Sequence, residues 1–156
     1  MDSEPLAGER VLVLEDYIGE NKAELQRLVN LLSRLNAVQL NRQLPNGWTV
    51  AGVLAHLAFW DCYAQATLHE WQRSGFRVPA TQYDAINAAV ESMSRVLPAP
   101  ALLQWVRERA EACDQCVAGV PPNLVEAIEG GGKANFLLRA KHRRHHLDQI
   151  DALLRA

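Results

Sequence analysis

The spacing of apolar residues constrains this chain most: no segment sustains apolar–polar alternation, whereas apolar positions three, four or seven apart recur along its length. Over residues 11–35, Val11, Leu14, Ile18, Leu25, Leu28, Leu32 and Leu35 fall at these intervals with Glu, Lys and Arg between them, which predicts a long amphipathic helix. Asn46-Gly47 marks a turn, and Thr49 is an N-cap candidate because its hydroxyl can accept an unpaired amide of the first helical turn. A second helix is expected from there to about Arg73, closed by the segment 75–81 with Pro79. Helical spacing returns over 83–96 and 101–117, divided by Leu97-Pro98-Ala99-Pro100. Pro121-Pro122 and Gly130-Gly131-Gly132 bracket a connection that reads as irregular, and 133–154 reads as the last helix.

Helices of this length pack well in few ways, so the expected fold is all-α: an antiparallel four-helix bundle with short accessory helices. At 156 residues the chain holds one core, so a single domain is expected over 1–156, with residues 1–8 read as disordered. Sixteen Lys+Arg against eighteen Asp+Glu leave a formal charge of −2, without the basic surplus that tracks phosphates; no nucleic-acid partner is expected. No apolar run reaches the roughly 20 residues of a membrane span. Met1-Asp2-Ser3-Glu4 is acidic where a signal peptide is basic, so a cytoplasmic protein with no membrane partner is expected. Cys62, Cys113 and Cys116 cannot all pair internally and read as free thiols.

Chemistry concentrates in the histidines. His142 and His146 stand one helical turn apart and point to nearly the same side as Ile150 and Leu153, whereas Lys141, Arg144 and Asp148 point away. Two imidazoles so placed can reach one ion at Zn–N distances of about 2.0–2.1 Å. Alone, the pair reads equally well as a basic, solvated helix end. His56 is the lone polar residue in Val53-Leu54-Ala55-His56-Leu57-Ala58-Phe59-Trp60, where an unpartnered imidazole is costly. By itself it reads as a hydrogen-bonded core histidine; with the inward pair it becomes a candidate third corner.

Two stretches resemble the DinB-like (DinB/YfiT-like) superfamily of helical metalloproteins: Gly47-Trp48-Thr49-Val50 leading to His56 and Trp60, and His142 to Ile150 with its histidines ahead of Gln149. The resemblance runs across nearly the whole chain and implies a bundle in which His56, His142 and His146 ligate a divalent metal, zinc first and nickel second. His145 would then flank the site, with an exchange of His145 for His142 left open. Where relatives carry Arg-Gly after the final ligand this chain has Leu147-Asp148, which weakens inference about neighbouring contacts.

Three histidines with no evident fourth ligand suit a metal that keeps an open coordination position. The resemblance implies a thiol-dependent transferase or isomerase using a low-molecular-weight thiol, or a small-molecule hydrolase, and also a homodimer. The alternative is a non-catalytic protein that binds or senses a metal or small ligand. No general base is identifiable. Asp61 and Glu70 read as surface or capping residues, and so does Gln149, which could also orient a ligand. Trp60, Tyr63 and Trp71 read as core that could wall a pocket, Cys113-Asp114-Gln115-Cys116 as an isolated Cys pair without a site, and the glycine triplet as a hinge.

Overall fold

A computed structural model describes residues 7–156, with side chains from residue 13 onward. Seven helices run in order: α1 (Ala7–Leu32), α2 (Ala37–Leu40), α3 (Val50–Ser74), α4 (Tyr83–Ser94), α5 (Ala99–Ala118), α6 (Pro122–Gly130) and α7 (Ala140–Arg155). A single 3-10 turn, Ala134–Phe136, precedes α7. Among the described residues there is no strand, only an isolated bridge between Gln43 and Thr49. The long helices α1, α3, α5 and α7 form the bundle, and the fold is the all-α, DinB-like one expected. Of the segment read as disordered, residues 1–6 lie outside the described residues, while Ala7 and Gly8 already belong to α1. The side chain of Val11 also lies outside them.

The most apolar long helix takes the centre. α3 lies against α5, α4 and α7, and Val53, Leu54, Ala55, Leu57, Ala58, Ala64 and Leu68 on it are buried. The Thr49 hydroxyl accepts the Gly52 N–H at 3.0 Å and starts the helix as expected. Gly47 at φ 87° makes the preceding turn and Gly75 at φ 85° ends the helix, a backbone region that favours glycine.

Three boundaries differ from the sequence reading. The first helix stops at Leu32 rather than near Leu35, and Asn36 opens α2 through a capping box with Gln39. The segment after Pro121-Pro122 is helical, not irregular, because Pro122 sits in the first turn, where a missing N–H costs nothing and the fixed φ suits a helix. The last helix begins at Ala140, seven residues after the expected start. Asn21 on α1 accepts the Ala140 N–H at 2.8 Å and donates to the Leu137 carbonyl at 2.8 Å, so a side chain from another helix sets that N-terminus.

The core has two apolar clusters. One gathers Leu28, Leu54, Leu57, Val106, Leu147 and Ile150; the other gathers Leu68, Trp71, Cys113, Val117, Ile128, Phe136 and Leu137. Along α3, Asp61 falls between Ala58 of the first cluster and Ala64 of the second; along α5, Asp114 lies next to Cys113, near the change from Ala110 of the first cluster to Cys113 of the second. The seam between the clusters is therefore polar.

Candidate metal centre

α3 carries His56 and the first half of α7 carries His142 and His146, and their packing brings the three rings together. Ring centroids stand 4.9 Å apart for His56–His142, 4.7 Å for His56–His146 and 4.8 Å for His142–His146. One ring nitrogen from each lies within 4.8 Å of the others. The Nε2 atoms of His56 and His142 are 2.9 Å apart. Two nitrogens on a tetrahedral ion at Zn–N of about 2.0–2.1 Å stand roughly 3.3 Å apart, so the His56–His142 pair is within a few tenths of an ångström of ligand spacing. The donor set is all imidazole, which suits a divalent first-row transition metal. His145 is exposed and stands outside this trio, its ring 4.9 Å from that of His146.

Burial keeps these imidazoles neutral and so able to ligate. The His56 pKa is lowered to about 4, by burial first and then by the proximity of His146; Asn87 pulls the other way. That of His142 is lowered to about 2 by burial and by the Arg139 charge, and His146 is lowered chiefly by burial. The Trp48 and His56 rings meet edge to face, with centroids 5.7 Å apart. Gln149, read from sequence as a surface residue that could orient a ligand, takes the orienting role toward His146: its Oε1 lies 2.9 Å from Nδ1 and accepts that proton, which directs Nε2 to the cluster.

A pocket of about 410 Å³ opens beside His56 and His142. Trp60, Tyr83 and Leu138 supply apolar wall, and Asn87, Asn135, Arg139, Lys141 and His145 supply polar groups. Trp60 Nε1 donates to Asn87 Oδ1 at 2.9 Å, fixing the amide at the rim. Of the three aromatics expected as core or wall, Trp60 does both; Tyr63 hydrogen-bonds Thr81 at 2.9 Å, and Trp71 sits in the second core cluster.

Asp61 is the main correction. Read from sequence as a surface or capping residue, it is 1% exposed. Its Oδ1 accepts from Arg139 Nε at 2.9 Å, and its Oδ2 accepts from Arg143 Nε at 3.2 Å and Nη2 at 3.1 Å. Arg143, fully buried, also forms a two-point pair with Asp114 at 2.8 and 3.0 Å. Burial opposes the Arg143 charge, but Asp61 and Asp114 more than offset it and hold the guanidinium protonated. Two arginines and two carboxylates thus close a neutral network in the seam, and Arg139 carries it to the histidines. The sequence signal was an acid inside an apolar helix and two arginines four apart, Arg139 just before α7 and Arg143 on it. Glu70, by contrast, pairs at the surface with Arg73 and Arg77, as expected. Cys62, Cys113 and Cys116 are free, and burial pushes the Cys113 thiol pKa upward.

An all-helical bundle with three histidines converging from its second long helix and its last defines a protein of the DinB/YfiT-like class. The family model for the mycothiol maleylpyruvate isomerase N-terminal domain matches residues 22–140, and the chain belongs to that family. The match includes His56 and ends two residues before His142. No curated protein and no solved structure matches the chain. Among the described residues, no helix is long and apolar enough to cross a membrane.

Proposed function

We propose that this chain is a divalent-metal-dependent enzyme, a thiol-using isomerase or transferase that acts on a small molecule in the pocket beside His56. The observation that carries this reading is the convergence of three neutral, half-buried imidazoles, two of which, His56 and His142, line a pocket of about 410 Å³. That volume suits a small-molecule site. His56, His142 and His146 would hold the ion, and the absence of a carboxylate among them leaves its charge uncompensated. When bound, the ion supplies Lewis acidity that favours the thiolate form of a low-molecular-weight thiol. Gln149 keeps the His146 ring oriented, and Trp60 with Tyr83 gives the pocket an apolar side. The family description names mycothiol, which supports the thiol branch. Zinc before nickel, like a homodimer, follows from the family likeness.

Purified protein should carry about one divalent ion per chain. His56→Ala, His142→Ala and His146→Ala should each lose it, while His145→Ala keeps it. Full metal content in His142→Ala overturns the ligand set. With metal bound, an electrophile–thiol screen should give turnover that needs added thiol and is absent in His142→Ala. Thiol-independent ester or lactone cleavage would make the protein a hydrolase instead. A cobalt-substituted protein whose visible spectrum ignores every thiol and anion would make it a binding protein.

A further inference from the structure

The three histidines differ in what faces the nitrogen turned away from the cluster. His146 Nδ1 meets an acceptor, Gln149 Oε1, at 2.9 Å. His56 Nδ1 is buried with no partner at hydrogen-bond geometry among the described residues, with Asn87 nearby. His142 Nδ1 instead meets a donor, Arg139 Nη2, at 3.4 Å. A guanidinium has donors only and does not deprotonate. It is also held in place, since Nε donates to Asp61 at 2.9 Å and Nη1 to the Asn135 carbonyl at 2.8 Å, leaving the side chain 6% exposed.

A neutral imidazole carries its proton on one nitrogen and a lone pair on the other. His146, donating from Nδ1, keeps its Nε2 lone pair for an ion. A donor at His142 Nδ1 favours the tautomer with its proton on Nε2, the atom that stands 2.9 Å from His56 Nε2. Ligation through His142 Nε2 must move that proton to Nδ1, against the Arg139 donor. Metal-binding histidines ordinarily give the outer N–H to an acceptor, and losing that partner costs 10–100-fold in affinity. Here the partner has the opposite polarity.

We propose that Arg139, anchored by the buried Asp61, is a positioning residue that holds His142 in its non-ligating tautomer, making His142 the weakest of the three ligands and lowering the metal affinity of the site. The inference rests on the metal reading above, but its first test does not use metal. In the metal-free wild-type protein, long-range nitrogen–proton NMR of the imidazoles should show His142 protonated on Nε2 and His146 on Nδ1. His142 protonated on Nδ1 overturns the proposal and leaves the metal reading untouched. In chelator competition with zinc, Arg139→Gln, which can offer an acceptor, and Arg139→Met, which removes the donor facing His142 Nδ1, should each bind about tenfold tighter than wild type. Gln149→Leu should bind about tenfold weaker. A purely structural role for Arg139 would loosen the site and weaken binding, so equal or weaker affinity in either Arg139 variant overturns the proposal. Absence of zinc binding by the wild type would instead sink the metal reading.

Discussion

Asp61→Asn tests the polar seam most directly, because the change keeps the side chain's shape while removing its charge. In the native protein Asp61 accepts three hydrogen bonds from two arginines, and neither its carboxylate nor Arg143 has access to solvent, at 1% and 0% exposure. After substitution, two guanidiniums face one remaining carboxylate, Asp114, and the new amide presents donors where donors already point. Removing one partner of a buried pair costs about 3–5 kcal/mol, and because Asp61 serves two arginines the upper part of that range is expected. For a chain of this size each kcal/mol moves Tm by roughly 2–4 °C, so the variant should melt about 10–20 °C lower. Circular dichroism on heating, together with urea titration at pH 7.5, measures both quantities. Arg107→Ala serves as reference: it breaks the exposed Arg107–Glu111 pair and should change stability by less than about 0.5 kcal/mol. A loss of under about 1 kcal/mol in Asp61→Asn would refute the claim that the seam is desolvated and charge-balanced.

Acidification should destabilise the metal-free protein. His56 and His142 have folded pKa values lowered to about 4 and about 2, whereas unfolded imidazoles titrate near about 6.5. Below that pH the unfolded chain binds more protons, so stability falls from about pH 6.5 down through 4; a urea midpoint that does not move between pH 7.5 and 5 contradicts this. Asn21→Ala removes the side chain that satisfies the Ala140 N–H and the Leu137 carbonyl and should cost about 2–3 kcal/mol in urea unfolding. A wild-type midpoint in that variant would show that α7 starts without help from α1. The proposed homodimer should scatter light as twice the 17.4 kDa chain at micromolar concentration, and a monomer there would refute it.

What sequence alone determined was local. Apolar spacing of three and four residues follows from the helical repeat, so the long helices were legible, and Thr49 was legible as a cap because a hydroxyl before an apolar run has few other uses. His56 showed itself as the lone polar residue in a buried run, and His142 and His146 by sharing a helix face. Pro121-Pro122 misled because a proline marks a helix start as readily as a break, and the surroundings decide which. Tertiary structure alone decided which faces meet. The α7 start depends on Asn21, more than a hundred residues earlier, and no local pattern encodes that hydrogen bond. Asp61 and Arg143 are charges that sequence assigns to water. They are buried because α3, α5 and α7 place two arginines and two carboxylates in one seam, where each charge offsets another's desolvation. Arg139 meets His142 and Gln149 meets His146 at three-residue spacing, so those pairings are local, whereas the anchoring of Arg139 by Asp61 and the meeting of His56 with the α7 pair are properties of the assembled bundle.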